Sequence, residues 1–102
     1  MAQVFKNYTQ ASIGTSPTTV YTVPGATTSI VIGLNLANRT TNTITASAQL
    51  GSVYIIKDAP IPGGGALSVL EGKIIAEAGD TIVVTSNTAS STDAIVSVLE
   101  QT

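Results

Sequence analysis

Residues 43–50 read Thr-Ile-Thr-Ala-Ser-Ala-Gln-Leu: the apolar Ile44, Ala46, Ala48 and Leu50 alternate with the polar Thr43, Thr45, Ser47 and Gln49. A period of two belongs to a β-strand with one face buried and one face wet. The wet face is made of hydroxyls and an amide rather than charges. The whole chain shares that habit, with 43% of its 102 residues hydrophobic and 10% charged, against about 25% charged in an average soluble domain. Much of the outward surface is therefore expected to lie against copies of the chain or against a partner.

Working outward, turn residues cut the sequence into short segments at intervals of about ten, the spacing of an antiparallel sandwich or barrel. Upstream, Val4 to Tyr8 is a first strand or an extended arm, and Thr18 to Val23 lies between Pro17 and the pair Pro24-Gly25, which fits the centre of a type II turn. Thr28 to Ala37 follows, with Ile30, Ile32, Leu34 and Leu36 on one face, and is the candidate central strand. The polar loop from Asn38 to Asn42 leads into residues 43–50.

Downstream, the segments are Val53 to Lys57, Ala66 to Leu70, Lys73 to Ala76, Thr81 to Thr85 and Ala94 to Glu100. Gly51 and the stretch around Gly72 stand as turns or as bulges. Asp58 to Gly65 carries Pro60 and Pro62 around Ile61 and ends in three glycines, so it is expected at an edge or crossover, because proline cannot donate to a ladder. Asn87 to Asp93 is expected to be a flexible loop. The fold class is all-β: one domain, residues 1–102, an antiparallel β-sandwich of jelly-roll or Greek-key type with about eight short strands and residues 1–9 as arm or first strand.

The chemical inventory is thin. Histidine and cysteine are absent, which removes the commonest general base, the commonest metal ligand and the thiolate. Of the six carboxylates, Asp58, Glu71, Glu77, Asp80, Asp93 and Glu100, the closest pair is Glu77 and Asp80, three apart across a turn. Asp80 is expected to bond its own turn backbone, with a weak calcium site as the lesser reading. Gly63 to Gly65 lack the Gly-Lys-Ser/Thr of a phosphate loop. No catalytic, cofactor-binding or metal-ligating residue is assigned, no cofactor is expected, and the chain reads as non-enzymatic.

A net charge of -2 and a pI near 4.6 offer no attraction to a phosphate backbone, so nucleic acid is not an expected partner. Lys6, Arg39, Lys57 and Lys73 are dispersed and form no basic patch. No apolar stretch approaches the roughly 20 residues of a membrane span, and Met1 to Thr9 lacks the pattern of a secretory signal. The sequons at Asn7 and Asn38 are accordingly read as chance matches. Tyr21 and Tyr54 fall inside strands, as core or sheet-face residues. Phe5 and Tyr8 are the natural docking anchors if the N-terminal segment is an arm.

The segment Tyr54 to Val84, YIIKDAPIPGGGALSVLEGKIIAEAGDTIVV, with Tyr21 to Asn38, YTVPGATTSIVIGLNLAN, and Asp93 to Glu100, DAIVSVLE, resembles small β-rich virion proteins of tailed bacteriophages. In that pattern a proline-glycine loop precedes a Leu-Glu-Gly-Lys strand, and an Ala-Gly-Asp-Thr turn leads into a Val/Ile strand. The resemblance implies a structural protein of the particle, foremost a capsid decoration or cement protein on the outer surface of the head, made in the host cytoplasm. Its partners would be the major capsid protein or other virion proteins and further copies of itself, a trimer being favoured. The alternative is a neck, tail or fibre module that binds a host receptor or glycan. The contact residues expected are Phe5 and Tyr8 in the N-terminal segment and Asp58, Pro60, Ile61, Pro62 and Gly63 in the proline-glycine loop.

Overall fold

A computed structural model describes residues 2–102, so Met1 of the N-terminal segment lies outside the described residues. Its nine strands are β1 (Gln3–Ile13), β2 (Thr18–Thr22), β3 (Thr28–Asn38), β4 (Ile44–Leu50), β5 (Val53–Ile61), β6 (Ala66–Ser68), β7 (Ile74–Ala76), β8 (Thr81–Ser86) and β9 (Thr92–Gln101). All pair antiparallel, in two sheets: β1-β9-β3 with β6 and β7 both on β3, and β2-β8-β4-β5.

Consecutive strands pair only at the β4-β5 hairpin; β1 meets β9, β2 meets β8, and β3 meets β6 and β7. This is a chain doubled back at Gly51-Ser52 into one long ribbon and then rolled, so that β9 also reaches β3 and β8 reaches β4. It is jelly-roll topology, in which the two sheets bury their facing sides. Gly51 is a true turn: φ is +60° there, the first central position of a two-residue hairpin between Leu50 and Val53, as a type II′ turn requires.

The 43–50 alternation holds: Ile44, Ala46 and Ala48 are buried, while Thr45 and Ser47 sit on the half-exposed outer side. Opposite them, Val31, Leu34 and Leu36 of β3 and Ala94, Val96 and Val98 of β9 complete the core, with Ile82 and Val84 from β8. Each fully buried Val, Leu or Ile contributes about 1.5–3 kcal/mol relative to exposure.

β3 is central, as expected, but its faces are not those of strict alternation. Between Val31, opposite Val98, and Gly33, opposite Ser97, the register slips by one, and Ile32 is the extra residue. The bulge turns Ile32 outward and lets both Val31 and Leu34 point into the core. Ile30 and Ile32 therefore leave the face that Leu34 and Leu36 share.

Of the two alternatives for the N-terminal segment, residues 3–13 are a first strand. Three further expectations change. β5 continues past Lys57 to Ile61, through Asp58 at φ 49°, whose N–H donates to Ser47 Oγ at 2.9 Å. Asp58 to Ile61 are thus strand, at the edge of their sheet as the prolines require. In the Pro24-Gly25 turn the positive φ falls on Ala26, at 56°, and not on Gly25. The run from Asn87 also ends early, because Ser91 and Thr92 are buried, with the Ser91 hydroxyl bonded to Ser86 Oγ and donating to Thr88 O.

Asn38 closes the end of the sandwich near the glycine triplet. Its buried side chain donates to the carbonyls of Asn42, Ile61 and Pro62 and accepts from Thr40 N–H and Oγ1. Its amide nitrogen is thus consumed inside the fold, which removes that sequon from glycosylation chemistry. Beside it, Gly63 passes so close to Thr41 that a Cβ would lie 2.3 Å from the Thr41 carbonyl oxygen.

Two substitutions should shift stability in opposite directions. Ala26→Gly relieves a left-handed alanine and should stabilise by about 0.5–1 kcal/mol. Gly63→Ala should destabilise by about 2–3 kcal/mol, because backbone must move. Thermal unfolding followed by circular dichroism reads both signs.

Candidate functional site

Two sheets have two outer faces, and here they differ. The outer face of β2-β8-β4-β5 carries Thr45, Ser47 and Gln49 of β4 with Thr81, Val83 and Thr85 of β8, all half-exposed. The outer face of β1-β9-β3-β7 carries large apolar side chains instead. Phe5 lies opposite Leu99, Leu99 opposite Ile30, and Ile30 opposite Ile75, one apolar row across four strands. Phe5 is 73% and Ile75 55% exposed.

Next to that row come Asn7, Ser97 and Gly33, with bulged Ile32 at 41% exposure, and then Thr9, Ile95 at 47% and Asn35. A shallow hollow of about 220 Å³ separates Phe5 from Ile32 over Asn7 and Ser97. Charge enters at the far end, where Asp93 is half-exposed and paired with Arg39 at 3.5 Å, and at the Phe5–Ile75 end, where Lys6 lines the hollow and the exposed Lys73 and Glu77 flank Ile75. Arg39 also hydrogen-bonds Ser12 Oγ, and Ser12 N–H donates to Asp93 at 3.0 Å. Three strands of ten or eleven residues at about 3.3 Å per residue and about 4.8 Å apart, with the three-residue β7 beside them, make a face of about 500–600 Å². Its apolar side chains are interrupted by Asn7, Ser97, Thr9 and Asn35, and exposed apolar clusters of this kind mark interaction sites.

Beneath this face, at its Phe5 end, lies a polar lock. The Glu100 carboxylate, 6% exposed, accepts from the hydroxyls of Tyr21 at 2.7 Å and Tyr8 at 2.8 Å and pairs with Lys6 at 3.4 Å. Ser29 Oγ bonds the Tyr21 hydroxyl, and the two tyrosine rings stack with centroids 4.4 Å apart. Four strands meet here: β1 through Lys6 and Tyr8, β2 through Tyr21, β3 through Ser29, and β9 through Glu100. The Tyr21 hydrogen bond, with Tyr8 and Lys6 adding to it, holds Glu100 below its ordinary value of 4.5 against the opposing effect of burial. Burial foremost pushes Tyr21 up to about 12, and it also raises Tyr8, whose hydrogen bond to Glu100 acts in the same direction.

The expected contact residues are scattered by this arrangement. Phe5 stands on the apolar face. Tyr8 is half-buried, turned inward onto Tyr21, and serves the lock rather than a docking surface. Ile61 is 1% exposed and belongs to the core, because it lies opposite Ile44 on the inner face of β5. Asp58, Pro60, Pro62 and Gly63 are exposed, but at the β5 edge and the turn after it, away from Phe5. The proline-glycine segment and the N-terminal segment therefore do not form one site.

Ile30, Ile32, Ile75, Ile95 and Leu99 were not among the candidates. Their signal was that both parities of β9 are apolar, Ala94, Val96 and Val98 as well as Ile95 and Leu99. A two-layer sandwich has nothing to cover the second set. Asp80 does bond its own turn, accepting from Glu77 N–H at 2.9 Å, while Glu77 is exposed. Tyr54 is an exposed sheet-edge residue with the Lys57 ammonium 5.3 Å from its ring centroid. A hollow of about 510 Å³ opens between Ile55 and Ile56 of β5 and the Leu67–Ile74 stretch, with Glu71 and Lys73 in its lining and no aromatic ring. No protein-family model matches the chain, and no curated protein matches it.

Because the folded pKa of Glu100 is depressed, its contribution to stability is complete above about 4.5 and is lost as pH falls through the lower folded value. Glu100→Gln should lower stability at pH 7 by about 1–3 kcal/mol, since two tyrosine hydroxyls and a lysine lose a charged acceptor. It should also flatten the acid limb of the stability profile, read by denaturant unfolding at a series of pH values.

Proposed function

We propose that this protein is a non-enzymatic structural protein of a tailed-phage particle, a decoration protein that attaches to the outer surface of the capsid and stabilises the head. The observation that carries the reading is the exposed apolar row of Phe5, Leu99, Ile30 and Ile75 across β1-β9-β3-β7, with Ile32 and Ile95 beside it. A patch whose charges lie at its borders loses little on desolvation, since it is charged groups that are costly to bury and that are depleted from interface cores. Repetition over a lattice then lets modest individual contacts hold a shell through multivalency. The resemblance of residues 21–38, 54–84 and 93–100 to phage virion proteins supplies the particle. The partners proposed are the major capsid protein or a neighbouring virion protein, together with further copies of this chain.

Recognition of a host receptor or glycan at a neck, tail or fibre is less well supported. Sugar binding favours a concave site with stacking aromatics, whereas the hollow beside β5 is lined by aliphatic residues with Ser68, Glu71 and Lys73 and holds no aromatic ring.

β1 is built into its sheet along its length, so point substitutions on the outer face are the proper test. Phe5→Asp and Ile75→Asp, singly and combined, should cut occupancy on phage heads stripped of this protein at least tenfold, with the melting temperature little changed. Thr85→Asp on the opposite face should leave occupancy intact. Undiminished binding by the combined variant would remove the face from the interface.

A further inference from the structure

Four lateral edges border the two sheets, and three of them are blunted. β2 has five residues, a register slip between Thr19 and Tyr21, and Pro17 and Pro24 on its flanks. β5 carries Pro60, a left-handed Asp58 and two irregularities against β4. The edge beyond β3 is two three-residue strands, β6 and β7, separated by Val69 to Lys73. Such devices are how natural sheets prevent edge-to-edge pairing.

β1 has none of them over most of its length. It contains no proline, and its register on β9 runs without a break from Gln3 opposite Gln101 to Gln10 opposite Ala94. Its one lysine, Lys6, is paired with the buried Glu100. The irregularity comes only beyond Gln10, near Ser12 at φ 58°.

The backbone groups that face the open side can be named. Thr102 N–H donates to Ala2 O at 3.0 Å, so the even-numbered residues of β1 exchange ladder bonds with β9. Gln3, Phe5, Asn7 and Thr9 then turn their N–H and C=O groups away from β9. We propose that this edge pairs antiparallel with β1 of a second copy, about a twofold axis at Asn7.

That axis brings Phe5, Asn7 and Thr9 into the new ladder, Asn7 against the partner's Asn7 and Phe5 against the partner's Thr9, and only Gln3 falls opposite the irregular end, at the partner's Ala11. Lys6 falls opposite the partner's Tyr8. An axis at Lys6 would set two ammonium groups against each other, which is destabilising for directly opposed like charges. An axis at Thr9 would leave Gln3 without a partner and run Phe5 into the irregular end of the strand. The parity of the strand is kept, so the two apolar faces join into one surface of about twice the area. The inference stands on the edge alone and does not need the particle reading. Its twofold geometry differs from the trimer that the resemblance to virion proteins favours.

Sedimentation of the full chain should give a species of twice 10.3 kDa at micromolar concentration. Asn7→Pro removes an N–H that β9 does not use, so the folded subunit should persist by circular dichroism while the dimer dissociates at least tenfold more readily. The chain has no cysteine, and hydrogen-bonded antiparallel neighbours have Cα atoms about 5.5 Å apart, inside the disulfide range of about 4.4–6.8 Å. Asn7→Cys should therefore cross-link to its own copy on mild oxidation, Phe5→Cys alone should not, and Phe5→Cys combined with Thr9→Cys should.

A monomeric or three-chain wild-type species would overturn the proposal, as would an Asn7→Cys chain that fails to cross-link. Should Asn7→Pro unfold, the cross-linking pattern decides. Occupancy on phage heads is measured separately. A monomer that still binds heads defeats the edge and spares the face, whereas a dimer that does not bind does the reverse.

Discussion

The placement of β9 between β1 and β3 is the constraint from which the rest of the molecule follows. Its ten residues run antiparallel to both neighbours along almost their whole length. That double pairing brings the last strand of the chain beside the first and so closes the roll. It also divides β9 by parity. Ala94, Val96 and Val98 enter the core, while Ile95 and Leu99 are sent to a side where no third layer exists. The core and the exposed apolar face are thus two consequences of one register, and neither can be moved without the other.

At its C-terminal end β9 carries the one buried carboxylate, and the treatment of that charge is consistent with the sparing use of charge elsewhere. Burying an ion is tolerable only when its lone pairs are satisfied. Glu100 has two phenol donors and an ammonium, and among the described residues no buried side-chain nitrogen or oxygen lacks a partner. The hydroxyls of Ser29, Ser86, Ser91 and Thr40 are used in the same way, to bind strand ends and loops without introducing ions. The body these bonds hold together is 45 Å long and 21 Å wide.

Local patterning made several elements legible. Residues 43–50 could be placed on their correct faces because hydroxyls and aliphatics alternate without a break. The β5 edge was readable from Pro60, and the Asp80 turn from the preference of aspartate for its own backbone. β3 was less readable, because one bulged residue, Ile32, inverts the face of everything before it, and isoleucine fits either side. The N-terminal segment was ambiguous for a different reason. Its side chains are mostly exposed even within the strand, so no burial pattern was there to find.

Composition and period by themselves determined that the chain is all-β, that it folds as an antiparallel sandwich of short strands, and that its surface is poor in ions. These are local or additive properties, which a sequence carries openly. Only the tertiary structure decided which apolar residues remain outside, that Tyr8 and Ile61 turn inward while Phe5 and Ile75 do not, and that one edge of four is left unprotected. Those outcomes depend on which strand lies beside which, and pairing between residues ninety positions apart leaves no trace in any short stretch of sequence.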